Sequence, residues 1–148
     1  MPYKFEKLEV WQLALAYTDT IYRIAEQLPR SEDFNLKSQI TRAATSIALN
    51  IAEGSTSQSD AEQARFLGFA IRSLIETAAC IRLIEQRSYL EDQTLPMLAN
   101  QQNEILFAKI QSFRISLKPR SVQEKSAKYR VKIDRYPLPS NSGNLSNF

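Results

Sequence analysis

The residues best equipped for chemistry are basic and aromatic, and they gather at one end of the chain. Lys118, Arg120, Lys125, Lys128, Arg130, Lys132 and Arg135 all fall in residues 118–148, with Tyr129 and Tyr136 interleaved. Cations contact phosphates whatever the base sequence, and tyrosine rings give bases a surface to stack on, so this set suits RNA or DNA. Two other readings fit the same residues. One is a solvated extension that aids solubility; the other is addition of "KYRVKIDRY" as a strand to a partner's sheet edge.

Further basic residues precede the tail. Arg65 and Arg72 are seven apart, hence on one helical face, and are the body's candidates for nucleic-acid contact. Glu76 follows Arg72 by four residues and Glu85 follows Arg82 by three, so pairing along the helix also accounts for two of the arginines.

Catalysis finds little to work with. The chain has no histidine, which removes the commonest general base and zinc ligand. Ser55, Ser57 and Ser59 stand near Glu53 without a His or Lys base close in sequence. The single cysteine, Cys80, allows neither an intramolecular disulfide nor a multi-cysteine metal site, and within "TAACIRL" it reads as a small buried apolar residue. No glycine-rich phosphate loop is present. The expectation is a protein without catalytic residues, metal or cofactor.

Four helical segments must carry these side chains. The first runs from about Phe5 to Leu28, with Leu8, Trp11, Leu15, Tyr22, Ala25 and Leu28 as its apolar stripe, and Pro29 stops it. The second starts at Asn35 as N-cap and passes through Leu36, Ile40, Ala44, Ile47 and Ile51 to Gly54. "SDAE" reads as a capping box that opens the third, with Ser59 as N-cap and Glu62 three residues on. Leu67, Ile71, Leu74, Ala78 and Ile81 form its stripe. The fourth starts near Asp92, carries Leu95, Leu98, Ile105, Leu106, Ile110, Phe113 and Leu117, and is closed by Pro119. The second segment is the shortest, and short links between long helices make neighbours antiparallel. The expected fold is all-α: an up-down antiparallel four-helix bundle over residues 1–117, followed by a mostly unstructured basic tail over 118–148.

Composition agrees. An apolar fraction of 43% supports a core, and three Gly with six Pro favour helices over a turn-rich β fold. The net charge of +3 is unevenly placed, with 12 basic against 14 acidic residues up to position 117 and 7 against 2 beyond it. The start, "MPYKFEKLEVWQ", lacks the apolar run of a signal peptide, and no segment is apolar enough to span a membrane. A cytoplasmic protein is expected.

The second helix is apolar on more than one side. On a helical wheel Leu36, Ala44, Ile47 and Ile51 lie within about 40° of Ile40, while Arg42, Ser46, Asn50 and Glu53 form a polar face and Leu49 sits about 180° from the core stripe. A leucine among alanines on the outer side suggests a second packing partner, most simply another copy of the chain. Glu53 also faces the negative end of its own helix, which costs about 0.3–1 kcal/mol if unpaired. Its expected partners, and those of Asn50, are the following loop "GSTSQS" or an arginine such as Arg65 or Arg72.

"FEKLEVWQLA", "LKSQITRAATSIALNIAEGS" and "FLGFAIRSLIETAACIRLIEQRSYL" resemble the 23S rRNA-intervening sequence proteins over about residues 5–115. The signature "RAA-S-I--NIAEG" stands at Arg42, Ala43, Ala44, Ser46, Ile47, Asn50, Ile51, Ala52, Glu53 and Gly54. The resemblance implies an up-down four-helix bundle that assembles as a homopentamer, with no catalytic activity. It also implies kinship with accessory proteins of diversity-generating retroelements, which bind nucleic acid and a reverse transcriptase. Those relatives are typically basic, whereas this helical body is slightly acidic, and the tail lies outside the resemblance. The reading is a non-enzymatic, homo-oligomeric, nucleic-acid-associated adaptor; its rival is a scaffold that binds a protein such as a reverse transcriptase. Arg42, Ser46, Leu49, Asn50, Glu53 and Gly54 are assigned to assembly or structure.

Overall fold

The computed structural model describes residues 2–119. Four α-helices account for most of them: α1 (Glu9–Glu26), α2 (Leu36–Ser55), α3 (Asp60–Gln86) and α4 (Thr94–Ser116). No strand occurs among the described residues. The helices alternate in direction, and α1 and α3 each run beside α2 and α4 while facing one another diagonally across the core. This is the up-down antiparallel bundle. None of these helices is long and apolar enough to cross a membrane. The readings placed on Arg120, Lys125, Lys128, Tyr129, Arg130, Lys132, Arg135 and Tyr136 lie outside the described residues, as does the "KYRVKIDRY" strand.

α2 and α3 follow the sequence closely. Leu36, Ile40, Ala44, Ile47 and Ile51 are all buried, as are Leu67, Ile71, Leu74 and Ile81, while Ala78 is half-buried. Ser59 caps α3, its Oγ accepting from the Glu62 N–H at 3.2 Å. Asn35 occupies the N-cap of α2 without capping it by its side chain. The Glu32 carboxylate does that work instead, accepting from the Leu36 N–H at 3.2 Å.

α1 departs from expectation in two ways. Residues Lys4–Lys7 form a separate 3-10 turn and Leu8 is extended, so the helix has 18 residues and α2, with 20, is the longer. Its core stripe is Val10, Ala14, Tyr17, Ile21 and Ile24, whereas Leu15 and Tyr22 are 44% and 45% exposed. Both lines repeat at helical spacing; Tyr17 belongs inside because its hydroxyl finds partners there. The Tyr17 Oη lies 2.7 Å from Thr77 Oγ1 and accepts from Asn103 Nδ2 at 2.9 Å.

In α4, Asp92 lies outside the helix and binds its first residue, accepting from the Thr94 N–H at 2.8 Å and Oγ1–H at 2.6 Å. Pro96 falls in the first turn, where no intrahelical N–H is required. Leu106 and Ile110 are buried with Ala99, but Leu98 and Ile105 of the expected stripe are exposed. Lys109 of α4 pairs with Glu9 of α1 at 3.1 Å, and the helix ends one residue before Leu117, its C-cap.

A candidate assembly face on the second helix

α2 is held against α3 by a close approach and a polar seam. A Cβ on Gly54 would lie 2.9 Å from Phe66 Cβ, too close for any other residue without movement of the helices. Further along, Ser73 Oγ donates to Ser46 Oγ at 2.9 Å, and Asn50 Nδ2 donates to both Ser46 O at 2.8 Å and Ser46 Oγ at 3.0 Å. The expectation that Asn50 ties the following loop is therefore corrected. Its amide lies one turn from Ser46, a shorter reach than the loop, and braces the serine that joins the two helices.

The expected contacts of Glu53 are also absent among the described residues: its carboxylate forms no hydrogen bond or ion pair there. The loop instead closes on backbone, with Thr56 Oγ1 donating to Glu53 O at 2.8 Å and Ser55 Oγ to Ala52 O at 2.6 Å. Arg42 donates only weakly through Nε to Ser38 O at 3.4 Å, leaving the rest of its guanidinium directed elsewhere.

Arg42, Ser46, Leu49, Asn50 and Glu53 line a single open groove of about 350 Å³, together with Tyr22, Thr41 and Thr45. Leu49 is 53% exposed within it. Tyr22 joins from α1, 3.2 Å from Thr45 Oγ1. Thr45 gives its own proton to Thr41 O at 2.9 Å, so the tyrosine is the donor. This groove offers one cation, one anion and an apolar centre, an arrangement suited to holding a protein surface.

Arg65 and Arg72 are both exposed on α3. The Arg65 guanidinium lies 5.5 Å above the Phe69 ring. The expected Arg72–Glu76 pair is not formed among the described residues, while Arg82 does pair with Glu85 at 3.2 Å and also reaches Asn100 at 3.1 Å. Lys118 is half-buried at the end of α4, its N–H donating to Ile115 O at 3.0 Å.

Cys80 is buried, and that burial pushes its thiol above the ordinary value. Among the described residues no group of three or more His, Cys, Asp or Glu side chains could hold a metal.

Two features escape sequence reasoning. Glu32, only 7% exposed, accepts from Asn35 Nδ2 at 2.9 Å and from the Tyr89 hydroxyl at 2.8 Å, linking the α1–α2 connection to the segment after α3. The Tyr89 bond, foremost, holds its carboxyl below the usual glutamate range. Arg114, the second feature, lies across Gly68, with a Cβ there placed 3.3 Å from Arg114 Nη2. Its Nε is buried and has no hydrogen-bond partner among the described residues. In sequence it is one cation near a helix C-terminus, where positive charge is ordinary.

Residues 6–109 match the family profile described as 23S rRNA-intervening sequence protein. A solved structure from Bacteroides thetaiotaomicron, titled as a protein with unknown function from the S23 ribosomal protein family, superposes with a TM-score of 0.64. The two are 24% identical over 71% of this chain and 94% of that one, a likeness that shows a shared fold. No curated protein matches the chain.

Proposed function

The chain belongs to the 23S rRNA-intervening sequence protein family, and we propose that it is a non-enzymatic, self-assembling adaptor that associates with nucleic acid. The observation that supports this reading is the α2 groove, which five of the six residues assigned to assembly line, the exposed Leu49 among them. The assembly is a homopentamer, as the family resemblance implies, and copies meet through this face. Arg65, Arg72 and the tail cations from Lys118 to Arg135 supply the phosphate contacts. Assembly multiplies their effect, because several tails on one particle bind with avidity.

Retention of single- and double-stranded RNA and DNA by the full-length protein tests the nucleic-acid part. Affinity falls steeply as salt rises, since each neutralised phosphate releases counterions. Absence of binding at low salt to every probe, with salt-tolerant capture of a protein such as a reverse transcriptase, favours the scaffold reading instead. The slightly acidic helical body, with 12 basic against 14 acidic residues, is the observation on that side.

A further inference from the structure

We propose that the seam between α3 and α4 is the receptor for the α2 groove of a second copy, so that assembly joins two different faces. This rests on self-association through α2 and adds the surface that α2 meets. The α2 backbone runs beside those of α1 and α3 and lies diagonally across from α4, so its outer face and the α3–α4 seam are separate surfaces of the bundle. On the seam, Ile75 is 55% and Phe107 36% exposed, beside Arg114, which rests on Gly68 and whose Nε has no hydrogen-bond partner among the described residues. Glu104 is exposed on α4 and forms no ion pair among the described residues.

The register of the bundle fixes how these residues line up. Ser46 meets Ser73, and Gly54 meets Phe66 and Gln63, which sets α2 against α3. Arg82 meets Asn100, and Gly68 meets Arg114, which sets α3 against α4. Stepping along the antiparallel helices, Arg42 falls level with Thr77 and so within about a turn of Glu104, while Glu53 falls within about a turn of Arg114. Tyr22 and Leu49 lie between the first two charges; Ile75 and Phe107 lie between the second two. One face therefore reads cation, apolar, anion where the other reads anion, apolar, cation.

A copy displaced sideways, without sliding along the bundle axis, brings Arg42 to Glu104, Glu53 to Arg114 and apolar to apolar. Association of unlike faces closes into a ring when the rotation allows, as a cyclic assembly requires. A face pairing with itself would stop at two.

The test uses full-length Leu49→Asp and Ile75→Asp, with circular dichroism showing that each remains folded. Each variant alone is monomeric, and an equal mixture forms a one-to-one complex through its remaining good faces. Glu53→Arg and Arg114→Glu each weaken self-association about tenfold, and the double variant recovers it. If Ile75→Asp assembles like the wild type while Leu49→Asp does not, α2 pairs elsewhere and this proposal fails, though self-assembly stands. Failure of the double exchange to recover association overturns the Glu53–Arg114 contact. A monomeric wild type overturns self-assembly itself.

Discussion

The polar groups inside this bundle and those on the back of α2 are treated in opposite ways. Inside, Thr77 Oγ1 donates to Leu74 O at 2.6 Å, so the Tyr17 hydroxyl donates to Thr77 while accepting from Asn103, whose amide also reaches Leu74 O at 3.2 Å. Each member has a partner, and three helices are joined in one register. Burial, the largest influence, raises the Tyr17 hydroxyl above its ordinary value and keeps it neutral. On the back of α2 the hydroxyls and the Asn50 amide are paired, whereas among the described residues Arg42 and Glu53 form no ion pair and Leu49 is exposed. A fully bonded core specifies the fold; a charge on either side of an exposed leucine is what the proposed assembly would use.

Substitutions on the two sides should separate stability from assembly. Leu74→Ala, at a fully buried position, should cost about 2–5 kcal/mol in denaturant unfolding. Gly54→Ala should cost about 1–3 kcal/mol, because the new methyl meets Phe66 Cβ rather than the end of a flexible chain. Tyr17→Phe should cost about 1 kcal/mol, since Thr77 and Asn103 both keep Leu74 O as an acceptor. Leu49→Ala should change unfolding by no more than about 0.5 kcal/mol, measured on dilute protein, while weakening assembly. A large stability loss from Leu49→Ala, or none from Leu74→Ala, would erase the distinction.

Glu32 provides a pH test of the clasp between the two connections. Its folded-state pKa is lowered, so the stability it contributes is present above the unfolded glutamate pKa and is lost as pH falls through the lower folded value. In acid titrations followed by circular dichroism, Tyr89→Phe should reduce that pH dependence, since the Tyr89 hydrogen bond is its main cause. An unchanged acid profile would assign the shift to the remaining contacts.

What the sequence made legible is what repeats locally. The core lines of α2 and α3 and the Ser59 cap follow from apolar spacing and a short polar signal, and the antiparallel order follows from short links. Spacing fails where a helix carries two apolar lines. In α1 the choice between Tyr17 and Tyr22 depends on Thr77 and Asn103, far away in the chain. Ile105 and Leu106 stand side by side in α4, and only packing decides that one is exposed and the other buried. The residues of the α2 groove were visible as a face, because they share one helix. Its Tyr22 wall, the seat of Arg114 on Gly68 and the clasp of Glu32 by Tyr89 were not, because each joins different elements.

The most direct test of the central claim is the molar mass of the full-length protein in solution, by light scattering on the eluting peak, beside Leu49→Asp. The account predicts a wild-type particle of several copies of the 16.9 kDa chain, about five, and a Leu49→Asp variant of one copy with the same melting temperature. A wild-type mass of 16.9 kDa at micromolar concentration would contradict it.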